Sequence, residues 1–154
     1  VAKEFAIIKG KPYYKDIVVA LAVGFSCAGL CFFSFGDEIN ALIALVAAFI
    51  GYLVKAFISK KKFNPMIAIA IAAFVTTVIT ALGRLYNIGL HPEAAMATAV
   101  LYLIPGVPLI NCVIDLIEGY LSSAMNRALF GGFILLSIAA GMTLCITLLG
   151  ISNF

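Results

Sequence analysis

The stretch Leu101 to Gly119, LYLIPGVPLINCVIDLIEG, decides how this chain is read. It is apolar enough to cross a membrane, yet it is interrupted by Pro105-Gly106 and Pro108 and carries Asn111 and Asp115 within it. Proline has no N–H to close an intrahelical bond, so two prolines three residues apart are expected to leave backbone carbonyls unpaired where lipid supplies no water. Such a break is tolerated only against protein or a wet cavity, and the expectation is a transport site.

Composition supports the membrane setting. Of 154 residues, 64% are hydrophobic and 11% are charged, and mean hydropathy is +1.18, whereas a soluble domain is about one quarter charged. The charges cluster between long apolar runs, as expected when a charge at the bilayer centre costs roughly 2.5 kcal/mol or more. The net charge of +3 therefore speaks to topology and not to nucleic acid. The sequence opens at Val1 with a lysine-bearing amphipathic stretch that has neither a signal core nor a cleavage site, which reads as a fragment of a longer protein.

A span needs about 20 apolar residues, and that ruler predicts an all-α integral membrane protein. Its five transmembrane helices fall at about 17–35, 41–58, 65–85, 92–119 and 125–149, after an amphipathic cytoplasmic lead-in over 1–16. The fourth is longer than one straight crossing requires, so it is expected to bend or partly unwind at its prolines. Lys3, Lys9, Lys11 and Lys15 precede the first span, and Lys60, Lys61 and Lys62 follow the second. The positive-inside rule then puts the N-terminus in the cytoplasm and the chain's end, near Asn153, outside. Five spans with no internal repeat imply a second half, supplied by another chain, by a copy of this one or by further sequence.

Within the spans, Pro108, Asn111 and Asp115 follow a three-then-four spacing and share one helix face, with Gly119 a further turn along. Asp115 is a candidate for proton uptake or for an ion pair with Arg84 or Arg127; alternatively it caps the inner end of its span with Glu118. A broken helix also presents a positive half-helix N-terminus, suited to a carboxylate-bearing solute. Gly106 would permit close backbone approach. In the third span, Ala73, Thr77, Thr80 and Arg84 form a stripe that either lines a pathway or packs with its hydroxyls bonded back to its own helix. Gly24 with Ala28, Ala68 with Ala72, and Gly131-Gly132 offer helix-packing surfaces. Lys55 is expected to snorkel to the inner headgroups.

Other chemistries find no support. Cys27 and Cys31 lie four apart, but the single histidine, His91, falls in an outer loop, so no metal-ligand set is present. Nucleophile and base pairs, paired zinc histidines and facing acids are all missing from the spans, which argues against an enzyme; no cofactor is called for. A non-transporting scaffold whose break docks a partner helix, and a passive channel, remain open at this level.

The run PGVPLINCVIDLIEGYLSSAMNRA, with Pro105-Gly106-x-Pro108-Leu109-x-Asn111 followed by Asp115, Gly119 and Arg127, resembles the threonine/serine exporter family, and the likeness extends over nearly the whole chain. The resemblance implies the five-span membrane half of a bacterial inner-membrane secondary transporter, missing the cytoplasmic region that precedes these spans in the family. It further implies a second five-span unit as partner. The cargo would be small metabolites, threonine and serine or a dicarboxylate such as succinate, with export driven by the proton gradient. Pro105, Gly106, Pro108, Asn111, Asp115, Gly119 and Arg127 are the positions it points to.

Overall fold

A computed structural model describes residues 15–150, all of whose regular structure is helical. The lead-in expected over 1–16, apart from its last two residues, and Asn153 lie outside the described residues. Six α-helices follow one another: α1 (Asp16–Phe33), α2 (Glu38–Lys60), α3 (Pro65–Leu85), α4 (Pro92–Val100), α5 (Gly106–Ile117) and α6 (Leu121–Leu149). A single 3-10 turn, Leu101–Leu103, continues α4. Helices α1, α2, α3 and α6 are long and apolar enough to cross a membrane. The pair formed by Pro92–Leu103 and Gly106–Ile117, bent by 68°, supplies a fifth crossing if it is one span.

Helix ends are where backbone groups need partners, and local sequence provides them. Helix α3 starts with Pro65 in its first turn behind Asn64, whose side chain accepts a hydrogen bond from the Met66 N–H at 3.0 Å. Three helices close alike, with a left-handed residue followed by an N–H that reaches back five positions. Phe35 precedes Gly36 N–H bonded to Cys31 C=O, Asn87 precedes Ile88 bonded to Gly83, and Gly119 precedes Tyr120 bonded to Asp115. The turn before α4 is tied down as well, because Leu90 N–H donates to the Asp37 carboxylate at 3.0 Å.

Small residues let the helices approach. Helix α4 sits among α1, α2 and α3, and Cys31, Ala41, Ala44, Ala47, Ala95 and Ala99 form one buried cluster there. A second cluster joins α3, the end of α4 with its 3-10 turn, and α6 through Ile69, Ala72, Ala73, Val100, Leu103, Ile134 and Ile138. Gly24 meets the backbone of Leu45, as its small size predicts; Gly141, not foreseen, is where α6 presses on α3, since a Cβ there would stand 2.4 Å from the Ala70 carbonyl oxygen. Gly131 receives Leu109 of α5, while the space beside Gly132 is open.

The register of α6 shapes the rest. Ser137 of α6 donates to the Met66 sulfur at the start of α3, and Gly141 lies beside Ala70, so α3 and α6 run parallel and residues 121–133 extend past the start of α3. Their packing partner is α5, which in turn packs on α6. The molecule is therefore a close-packed bundle of α1 to α4 with the second half of α6, joined to an α5/α6 hairpin.

Candidate functional site

The break itself is more completely bonded than the prolines alone suggest. Pro105 cannot donate to Leu101 four residues back, nor Pro108 to Ile104. The Leu101 carbonyl instead accepts from Ile104 N–H at 3.1 Å, and the Ile104 carbonyl from Gly106 N–H at 2.9 Å. Pro105, at φ −78° and ψ 76°, is the centre of an inverse γ-turn. The expectation of unpaired carbonyls at these two positions is thus corrected: a 3-10 turn and a γ-turn take up the acceptors, and the chain changes direction without leaving them bare. On the donor side, Gly106 N–H is used, Pro108 has none and Leu109 N–H bonds Pro105, so Val107 carries the open N–H at the start of α5. Among the described residues, no atom beyond Gly106's own neighbours and helix backbone lies within 4 Å of a Cβ built on it, so close packing among them does not explain that glycine.

From this start, α5 runs antiparallel to α6, held by Leu109 against Gly131 and by the Cys112 thiol, which donates to the Ala124 carbonyl at 3.2 Å. The three-then-four stripe then meets a polar face of α6. Asp115, whose side chain is 15% exposed, pairs with Arg127, Nε to Oδ2 at 3.2 Å, and the same oxygen accepts the Ser123 hydroxyl at 2.7 Å. Of the two arginines open to it from sequence, Asp115 is joined to Arg127; Arg84 lies in the last turn of α3, at the far end of the bundle. The pairing is through Nε, and Arg127 is itself 43% exposed; its two terminal guanidinium nitrogens are further donors.

Two hollows flank this pair. One, about 310 Å³, is lined by Val107, Pro108, Asn111, Asn126, Arg127 and Phe130; the other, about 720 Å³, by the Gly119–Ser123 turn with Asn126 and Arg127. Asn126 and Arg127 line both, so the two hollows adjoin along a groove, largely apolar, from the first turn of α5 to the turn before α6. Its upper end combines a half-helix N-terminus, two carboxamides and a guanidinium, a set that attracts and hydrogen-bonds a carboxylate. Pro105, which leads into this end, also reaches the edge of Gly131.

Pro108, Asn111, Asp115, Gly119 and Arg127 thus come together. Thr77 and Thr80 do not join them: both are buried in the bundle, with Thr77 donating to Ala73 C=O at 2.7 Å and Thr80 to Thr77 C=O at 3.0 Å. Ser123 and Asn126 were missed in the sequence. Their spacing with Arg127, three residues and then one, marks a polar face on α6 and was the signal available. Tyr102 was missed too; its hydroxyl lies 3.1 Å from that of Thr76, deep in the bundle.

The apolar helices, the proline-broken segment and the charged pair between α5 and α6 define an all-α multi-pass membrane protein. Residues 1–149 match the family model described as "Putative threonine/serine exporter", and the chain belongs to that family. It is 32% identical to the "Probable succinate transporter subunit YjjP" of Klebsiella aerogenes and 31% to that of Escherichia coli, in each case over the whole of this chain. The chain spans 60% of the length of these relatives. No solved structure matches it.

Proposed function

We propose that this chain is the membrane half of a subunit of a bacterial inner-membrane secondary transporter that exports small carboxylate-bearing metabolites, threonine and serine or a dicarboxylate such as succinate, with the proton gradient as driving force. The observation that carries the reading is the Asp115–Arg127 pair beside Asn111, Asn126 and the start of α5. Arg127 is shared between Asp115 and whatever carboxylate enters the groove. A proton on Asp115 removes one of the two claims on the guanidinium, so proton and solute occupancy are linked, as binding free energies require. The relatives named for succinate transport favour a dicarboxylate.

The lysine distribution supports a cytoplasmic N-terminus. A partner is supported by the word "subunit" in the relatives' names and by the uncovered apolar flank of α5, where Val107, Ile110, Val113 and Ile117 are all more than half exposed. Either a second five-span subunit or a copy of this chain fits that flank.

The test is efflux of labelled threonine, serine and succinate from preloaded vesicles holding the full-length protein with its partner, with and without an imposed proton gradient. Gradient-driven efflux of one solute, lost in Asp115→Asn while the protein still inserts and assembles, is the expected result. Normal coupled transport by Asp115→Asn would remove the proton role. No efflux of any solute from folded, paired protein would favour a scaffold, and flux without a gradient a channel.

A further inference from the structure

The turn at Pro105 has a second consequence, beside the last turns of α2. Helices α2 and α4 run in the same direction, with Ala44 and Ala47 clustered with Ala95 and Ala99, and Gly51 against the Tyr102 hydroxyl. Continued straight, this register would set residues near 106 and 110 opposite Lys55 and Ser59. Those residues have instead turned aside through 68° to pack on α6. Where they would have stood there is a hollow of about 360 Å³, lined by Asp16, Tyr52, Lys55, Ala56, Ser59 and Lys60.

Two lysines, one carboxylate and two hydroxyl-bearing side chains line this hollow. Lys60 is held by Asp16 at the hollow's outer edge. Lys55 lies one turn deeper, is half-buried, and has no ion pair among the described residues. Tyr52 forms the inner wall and meets Tyr102 edge-on, ring centroids 6.4 Å apart, and Tyr102 in turn meets the Thr76 hydroxyl. A lysine that only snorkelled would be expected to point its ammonium to open lipid headgroups. Here it borders an open recess, with a phenol and a serine hydroxyl at helical spacing beside it.

We infer that this hollow is an anion-binding vestibule in which Lys55 takes a carboxylate of the solute, with Tyr52 and Ser59 as hydrogen-bonding neighbours, on the way to or from the broken span. This rests on the transport reading above and adds a second point of contact to it. The volume falls within the range of small-molecule sites, and one unpaired ammonium beside neutral donors suits a small acid. A lipid headgroup presents the same chemistry, an anion at an ammonium, and the test separates the two sources.

Succinate transport is measured for wild type, Lys55→Gln and Lys55→Arg in the full-length protein with its partner, in vesicles of phosphatidylcholine alone and with phosphatidylglycerol. In parallel, Ser59→Cys is labelled with a water-soluble thiol reagent, with and without succinate. Loss of a charge-assisted contact predicts a KM about 10-fold higher in Lys55→Gln at nearly unchanged kcat, recovery in Lys55→Arg, and succinate protection of Ser59→Cys, in both lipids. An unchanged KM with no protection overturns the vestibule. A Lys55→Gln effect confined to phosphatidylglycerol vesicles, without succinate protection, assigns the hollow to lipid and overturns it equally. If wild type moves no succinate, the transport reading fails, while protection of Ser59→Cys still decides whether the hollow binds the acid.

Discussion

The α1 to α4 bundle and the α5/α6 hairpin are built by opposite rules. In the bundle the buried surface is mostly alanine, glycine and cysteine with a few larger aliphatic side chains, and the buried hydroxyls of Thr76, Thr77, Thr80 and Thr98 bond back to their own helices, Thr76 also meeting Tyr102. In the hairpin the polar contacts cross between helices, through Asp115, Ser123 and Arg127 and through Cys112 and Ala124. Back-bonded hydroxyls satisfy their helix and ask nothing of a neighbour. Cross-helix polar contacts tie two helices together and change with whatever enters the groove. On the proposed function, the bundle is the fixed body and the hairpin the part whose bonding a solute, a proton or a partner would rewrite.

The sharpest way to break that contrast is Arg127→Gln, which leaves Asp115 without its cation. Because Arg127 is partly exposed, losing this contact is expected to lower kcat/KM for the transported acid by roughly 10-fold. Because the hairpin lies outside the bundle, the thermal midpoint of the purified protein should move little. A large fall in that midpoint with transport retained would make the pair structural and erase the division between the two regions.

The bundle predicts the reverse response. Gly141→Val places a side chain against the Ala70 carbonyl and the Ala73 Cβ, and overpacking at a backbone contact should cost about 1–3 kcal/mol of stability, read by thermal unfolding in detergent. Gly132→Val, nine residues earlier on the same helix and with open space beside it, should leave stability nearly unchanged in the isolated chain. Equal losses in the two would mean that the hairpin is as tightly packed as the bundle.

The smallest effect is expected at Thr77→Val, which exchanges a hydroxyl for a methyl group and removes a back-bond in the bundle interior. Transport should survive with a change of well under tenfold, and a cysteine at this site should resist aqueous thiol reagents that modify one at Asn111. Abolished transport in Thr77→Val would bring the third-span stripe back as a pathway lining.

Much of this was written in one dimension. The 3.6-residue period alone sets Pro108, Asn111 and Asp115 on one face, and proline chemistry alone requires a break near residue 105. Long apolar runs fix the helical class, since only helices satisfy their own backbone groups in lipid without closing a barrel. The sequence left two things unresolved. It offered two arginines to Asp115, because charge pairing depends on which helices meet; and it left the threonine stripe poised between lining and packing, because a hydroxyl's partner is chosen by burial. The register of α6, pinned by Gly141 against Ala70, decided the first by carrying Arg127 alongside α5 and Arg84 to the far end. The same bend that satisfied the carbonyls around Pro105 removed a helix from beside Lys55. Periodicity reports which residues share a helix face, while the distances between faces follow from where small residues allow two backbones to touch.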